Sequence, residues 1–265
     1  MLVPMPRAIE KIRQIRPRTV VYLFSAGKDS SLSLLLTRGF VRDLCAEIKC
    51  KAFVVYIYVT GNTHPLNNAC AHYVMQWHKK YYGFEPIYLA SPKNFLECVA
   101  KYGFEMPRGR WCWAEFKEKP LRELQARLPK PLLYVDGMSP SDSVARERTV
   151  TDEVQFINTT RGSYWAWHPL FSLSMSSKER LELLKQHEEF KCVAQLYELY
   201  GDSMNCVICP YKSREKLMKL APAEPAEIYY AALEVSLHSP RWKKRLALLK
   251  GNRSLEEYVL GSLAG

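Results

Sequence analysis

Ser25-Ala26-Gly27-Lys28-Asp29-Ser30-Ser31 joins the apolar run Val20 to Phe24 to a second apolar stretch, Leu32 to Leu36. The first run is β-branched and aromatic and reads as a strand, and the second opens a helical pattern, so the residues between form a tight strand-to-helix turn. Such a turn presents unpaired backbone N–H groups and the positive end of a helix, and both attract an anion. Gly27 lets the backbone approach closely, Lys28 adds a point charge, and Ser25, Ser30 and Ser31 supply hydroxyls. A carboxylate at Asp29 beside a phosphate has a use if it holds Mg²⁺. The segment is not a Walker loop, which needs four residues between its glycines and a Gly-Lys-Ser/Thr ending.

A second chemistry is written in the cysteines. Cys206-Val207-Ile208-Cys209-Pro210 sets two thiolates at a spacing that lets both reach one metal. Cys112, beside Arg110 and Trp111 and followed by Trp113, is the third candidate ligand, and Cys192 is the candidate fourth. An iron–sulfur cluster of the 4Fe–4S kind, held by four cysteines or by three with one open iron, is the reading; structural zinc or unliganded thiols are the alternatives. Cys45, Cys50, Cys70 and Cys98 lie within or beside helical patterns and read as buried small hydrophobes. The histidines share no metal-like spacing, and His168 before Pro169 is structural or lies near a bound nucleotide. Trp111/Trp113 and Tyr164/Trp165/Trp167 can stack on a base or fill a core.

These residues need a frame. Lys51 to Val59 is a continuous apolar run, as expected of a buried parallel strand, and it ends in the loop Thr60-Gly61-Asn62-Thr63-His64-Pro65. A helical stretch from about Leu66 to Tyr82 precedes a strand at Pro86 to Ala90. Helical patterns follow near Lys93 to Tyr102 and from Ala114 to Leu128, before a fourth strand at Pro131 to Val135 that ends in Asp136-Gly137. This alternation predicts an α/β fold with a doubly wound, mostly parallel sheet. Ligands in such sheets bind at the carboxyl ends of strands, so the loops at Ser25, Thr60 and Asp136 are expected to face one crevice. Ser176 to Phe190 reads as a helix capped by Ser176 or Ser177 with Glu179 behind it. Short helices without strands are expected from Ser213 onward. The expected organisation is a nucleotide-binding domain over 1–167 and a helical C-terminal region with the cysteine motif over 168–265.

The chain has 265 residues, 48% of them hydrophobic, enough for a sizeable core. No apolar run is long enough for a membrane span, and the first residues lack the apolar region of a secretory signal. A cytoplasmic location is therefore expected, with all eight cysteines reduced. The net charge of +11, with Arg and Lys clustered at Lys11 to Arg18, Arg108/Arg110, Arg146/Arg148 and Arg241 to Arg245, suits a nucleotide phosphate or an RNA backbone. A generally basic, solvated surface explains the same count.

Read together, these segments resemble the PAPS reductase-like family of the PP-loop ATP pyrophosphatase (adenine nucleotide alpha hydrolase) superfamily. The loop Ser25 to Ser30 is similar to that superfamily's Ser-x-Gly-x-Asp-Ser pyrophosphate loop. Tyr58-Val-Thr60-Gly61-Asn62 stands where the family carries an Asp-Thr-Gly loop. Arg110-Trp111-Cys112 with Lys117 and Pro120-Leu121 resembles its Arg-Trp-Cys…Lys…Pro-Leu segment. Gly137 to Arg146 resembles its Gly-x-Arg-x-x-Glu-Ser-x-x-Arg element, with Ser139 in place of the Arg and Asp142 in place of the Glu. His168-Pro169-Leu170 and Leu196-Tyr197 to Cys206-Val-Ile-Cys209-Pro210 follow in family order. Trp113 replaces the second Cys of the pair found in iron–sulfur members, and the tail from Leu255 to Gly265 has no cysteine of the thioredoxin-dependent kind.

The resemblance implies attack on the α-phosphate of ATP with release of pyrophosphate. Ser25, Ala26, Gly27, Lys28 and Ser30 would cradle the pyrophosphate, with Asp29 on Mg²⁺. Thr60, Gly61 and Gly137 would frame the nucleotide, while Arg146, helped by Arg148, would meet the developing charge. Lys28, Asp29 and Arg146 are thus the candidate catalytic residues, and sulfur transfer to an adenylylated acceptor such as tRNA the candidate reaction. The alternatives are an APS or PAPS reductase with an iron–sulfur cluster, and a non-catalytic nucleotide- or nucleic-acid-binding subunit. A homodimer is compatible with either, and no membrane partner is expected.

Overall fold

The computed structural model describes residues 6–103, 111–140, 143–159, 162–207 and 209. Arg110, Asp142, Pro210 and the helices expected beyond Ser213 lie outside the described residues. Six strands, β1 (Thr19–Phe24), β2 (Lys51–Tyr58), β3 (Glu85–Ala90), β4 (Leu132–Val135), β5 (Val154–Thr159) and β6 (Gly162–Trp167), form one sheet in the order β3-β2-β1-β4-β6-β5. All neighbours pair in parallel except β5, which runs antiparallel to β6. The doubly wound, mostly parallel sheet expected from the apolar runs is therefore present.

From β1 the chain moves outward through α2 (Lys28–Ile48), β2, α3 (Pro65–Tyr82) and β3. It then returns through α4 (Phe95–Tyr102), a π-helical turn at Trp113–Glu118 and α5 (Lys119–Arg127) to place β4 on the other side of β1. The direction of winding thus reverses between β1 and β4, and a crevice opens at their carboxyl ends.

The hairpin of β5 and β6 is not announced by the sequence pattern. β5 is an edge strand carrying Gln155, Asn158 and Thr159, with Phe156 half exposed, so it lacks the continuous apolar run of a central strand. α1 (Pro6–Ile15) and α8 (Lys191–Tyr200) are likewise additions, held by tertiary packing of Ile12 and Leu196 into the main core. α7 (Ser177–Lys185) starts where expected, with a full capping box between Ser176 and Glu179.

Alternation along the central strands divides the core between two faces. Val20, Tyr22, Phe24 and Val135 point to the side covered by α2, α3 and α8. Val21, Val55, Leu132 and Tyr134 point to the other side, where Leu121 and Leu124 of α5 and Leu128 just after it pack. Arg38 of α2 forms a buried ion pair with Glu189, and its guanidinium carbon lies 5.0 Å from the ring centres of Trp77 and Tyr82. Burial in this cluster lowers the His78 imidazole to about 4, so it stays neutral.

The cysteines depart from expectation. Cys45 is bonded to Cys50, and Cys70 of α3 to Cys192 of α8, so four of the thiols expected to be reduced are disulfides. Cys192 is corrected accordingly: α3 and α8 pack side by side and bring its sulfur onto Cys70, so it is not a cluster ligand. Cys45, Cys50 and Cys70 are staples rather than small hydrophobes, whereas Cys98 is a buried thiol as expected. Among the described residues no helix is long and apolar enough to cross a membrane.

Candidate functional site

Between the end of β1 at Phe24 and the start of α2 at Lys28 only Ser25, Ala26 and Gly27 intervene. Ala26 turns the chain with a φ of 52°, a left-handed conformation that costs a non-glycine residue about 1 kcal/mol. The hydroxyl of Ser30 accepts from the Ser25 amide at 3.2 Å and donates to the Gly27 carbonyl at 3.1 Å, closing the turn on itself. The Ser25 hydroxyl lies 3.1 Å from that of Ser30. These bonds leave the first-turn amides of α2 without intrahelical acceptors at the carboxyl end of the central strand.

Two neighbours hold the turn from outside. Gly137, just past β4, lies so close that a Cβ there would stand 2.6 Å from the Asp29 carbonyl carbon and from the Ser30 nitrogen. The Lys28 amide donates to the Tyr197 hydroxyl of α8 at 3.3 Å. Burial pushes the Tyr197 phenol up, so it remains a neutral partner.

Asp29 carries both of its carboxylate oxygens in ion pairs. Arg180 of α7, itself buried, donates from Nη1 to Oδ1 at 2.7 Å, and Lys28 Nζ donates to Oδ2 at 2.8 Å. Nothing in the sequence marks Arg180, one charged residue among several in a short capped helix. Asp136 is the second carboxylate of the site. It lies 2.8 Å from Nδ1 of the fully buried His168 and accepts from the Met138 amide at 2.9 Å. The Nε2 atom of His168 is buried and has no hydrogen-bond partner among the described residues.

A cavity of about 880 Å³ opens at the switch point, and Ser25, Gly27, Asp29, Ser30, Asp136 and Gly137 line it together. Arg146 reaches the same cavity from α6 (Val144–Thr149), whose first turn is capped by the Ser143 hydroxyl accepting from the Arg146 amide at 3.3 Å. Ala26 is buried beneath the turn and Lys28 leans onto Asp29 rather than lining the cavity. Thr60 and Gly61 are not among the residues lining the cavity. The Thr60 carbonyl accepts from the Phe95 amide at 2.8 Å, at the start of α4. The Ser25 and Asp136 loops therefore meet at one cavity, as expected.

Cys112, Cys206 and Cys209 keep thiols. Lys117, in the π-helical turn after Cys112, donates to Asn205 beside Cys206 at 3.1 Å, so the two cysteine-bearing segments are tied together. Even so, among the described residues no group of three His, Cys, Asp or Glu side chains is placed to hold a metal ion. With Cys192 in a disulfide, the cysteines do not fit a four-cysteine cluster. For Mg²⁺ arriving with a nucleotide the donor chemistry does fit, because Asp29 and Asp136 are hard oxygen donors on the cavity that the Ser25–Ser30 turn lines.

No protein-family model and no curated protein matches the chain. Among solved structures it is similar to the phosphoadenylyl-sulfate (PAPS) reductase of Candida auris in a phosphate complex, at 11% identity over 70% of this chain and 88% of that one, with a TM-score of 0.38. It is also similar to the FMN adenylyltransferase of Candida glabrata in complex with FMN and the ATP analogue AMPCPP. That match has 15% identity over 69% of this chain and 56% of that one, with a TM-score of 0.41.

Proposed function

We propose that the chain is a PP-loop, PAPS reductase-like enzyme that binds ATP or a related adenine nucleotide with Mg²⁺ and activates a substrate by adenylylation. The observation that carries this reading is the closed Ser25–Ser30 turn at the β1/β4 switch point, with two carboxylates and Arg146 around one cavity. In the reaction a nucleophilic oxygen of the acceptor bonds to the α-phosphorus. The bond from that phosphorus to the bridging oxygen breaks, and pyrophosphate leaves with the oxygen and with Mg²⁺. The first-turn amides of α2 and the Ser25 and Ser30 hydroxyls would hold the leaving pyrophosphate. Mg²⁺ arriving at Asp29 would displace Lys28 from Oδ2 and free its ammonium for the phosphates, while Arg180 keeps Oδ1. Arg146 would meet the charge that develops on the α-phosphate.

Sulfur transfer extends the same proposal: sulfide-level sulfur from a separate donor would bond to the activated carbon as AMP leaves with the acceptor oxygen, and tRNA is the acceptor favoured by the net charge of +11. A metal on Cys112, Cys206 and Cys209, as an iron–sulfur cluster or zinc, would have to draw the three thiols together, and no step above runs through it. One preparation tests the whole reading. Protein purified without oxygen is assayed for iron, then for pyrophosphate released from Mg-ATP with and without bulk tRNA. Pyrophosphate release is expected, stimulated by tRNA at low salt and steeply less at moderate salt, and bound iron would show that Cys112, Cys206 and Cys209 draw together. Absence of release under every condition would remove the adenylylation reading. Release indifferent to tRNA would move the acceptor to a small molecule, and zinc without iron would leave a structural site.

A further inference from the structure

We infer that Ser203, on the segment that leads from α8 to Cys206, is a further phosphate-binding residue of this site. This deepens the nucleotide reading above and rests on it.

Asp202 to Val207 is neither helix nor strand, and the residues that follow β2 give it a fixed course. The Met204 carbonyl accepts from the His64 amide at 3.1 Å, and the Asn205 carbonyl accepts from the Thr63 hydroxyl at 2.8 Å. The Val207 amide donates to the Asn62 carbonyl at 2.8 Å, and the Met204 and Val207 side chains are buried. Met204 has a φ of 65°, a left-handed conformation uncommon for a residue with a side chain, and these bonds hold it there.

Asn67 of α3 ties this segment to the phosphate-binding turn. Its side chain is fully buried, and its Nδ2 donates both to the Ser203 carbonyl at 2.6 Å and to the Ser25 carbonyl at 3.3 Å. Its Oδ1 accepts from the Tyr56 hydroxyl, which fixes the orientation of the amide. One buried amide thus sets Ser203 and Ser25 side by side.

The Ser203 side chain stands over the turn. A Cβ added at Gly27 would lie 3.6 Å from the Ser203 Cβ and 3.7 Å from its Oγ, and Ser203 lines the cavity together with Ser25, Gly27, Asp29 and Ser30. Its hydroxyl donates to Asp202 Oδ1 at 3.3 Å, long for a bond between two oxygens. It also interacts with the Tyr197 phenol, the acceptor of the Lys28 amide. A serine hydroxyl changes acceptor by turning about one bond. Phosphates on the Ser25–Ser30 turn carry more charge than the Asp202 carboxylate, so they would draw the Ser203 hydroxyl to themselves. Asp202 itself does not line the cavity.

The test measures binding of Mg-ATP and of inorganic tripolyphosphate with Mg²⁺, by calorimetry on the full chain. Loss of a hydrogen bond to a charged group predicts that Ser203→Ala binds both ligands about tenfold more weakly, with Tm unchanged. Asp202→Asn keeps the Ser203 hydroxyl and removes the charge of its competing acceptor, so both affinities should hold or rise. Equal losses in Ser203→Ala and Asp202→Asn would assign Ser203 to the local turn alone and overturn the inference. Tripolyphosphate affinity unchanged in Ser203→Ala would also overturn it and leave the Ser25–Ser30 turn standing. Wild-type protein that binds neither ligand would overturn this inference and the nucleotide reading together.

Discussion

Replacing Gly137 with Ala is expected to lower Mg-ATP affinity about a hundredfold while the protein stays folded. The added methyl carbon would stand 2.6 Å from two backbone atoms of the turn, the Asp29 carbonyl carbon and the Ser30 nitrogen. Backbone held by a strand end on one side and a helix start on the other cannot move aside locally, and overpacking of this kind costs about 1–3 kcal/mol. The strain falls on the turn itself, so binding suffers more than global stability. Gly39→Ala within α2 is the matched control. A Cβ there meets nothing within 4 Å, and Ala is the better helix former, so ATP affinity should be unchanged and stability slightly raised. Wild-type ATP affinity in Gly137→Ala would show that nucleotide does not bind beside this contact.

The second large effect concerns Cys70 and Cys192. Their disulfide joins α3 to α8 across a sequence separation of 122 residues. Closing a loop of that length removes unfolded-state entropy on the order of 4–5 kcal/mol in the chain-entropy account. Substituting both with Ser is therefore expected to lower Tm by about 10 °C or more. Because α8 carries the Tyr197 hydroxyl that receives the Lys28 amide, nucleotide affinity should fall with it. Thiol titration in denaturant checks the premise: four reactive thiols are expected from the wild-type chain, and eight would contradict it.

The parts of this site legible in the sequence were those written as local pattern. The apolar run into Ser25 and the helical stretch after Ser30 located the turn, because strand, turn and helix start each have their own residue chemistry. Asp136-Gly137 was visible as a strand end, and its meeting with Ser25 followed from the rule for doubly wound sheets. What stayed hidden depends on contacts between distant segments. Arg180 reaches Asp29 from a helix whose sequence reads as an ordinary capped surface helix. Cys192 was the candidate fourth ligand only as the cysteine nearest the Cys206–Cys209 pair, and the packing of α8 on α3 shows that its partner is Cys70. The β5–β6 hairpin was missed because one of its faces borders a cavity, so β5 keeps polar residues where a buried strand would not. The Thr60 loop has the right place in the strand order, but its Thr60 carbonyl is taken by the Phe95 amide at the start of α4, which sequence order cannot reveal.

The central claim is that Mg-ATP binds at the Ser25–Ser30 turn and the Asp136–Met138 segment against it. Amide hydrogen exchange with and without saturating Mg-ATP measures this residue by residue. Bound phosphates should engage the first-turn amides of α2, so exchange at Asp29 and Ser30, and at Gly137 and Met138, should slow markedly, while α1 and the β5 edge stay unchanged. Saturating Mg-ATP that leaves exchange at Asp29 and Ser30 unaltered would contradict the account.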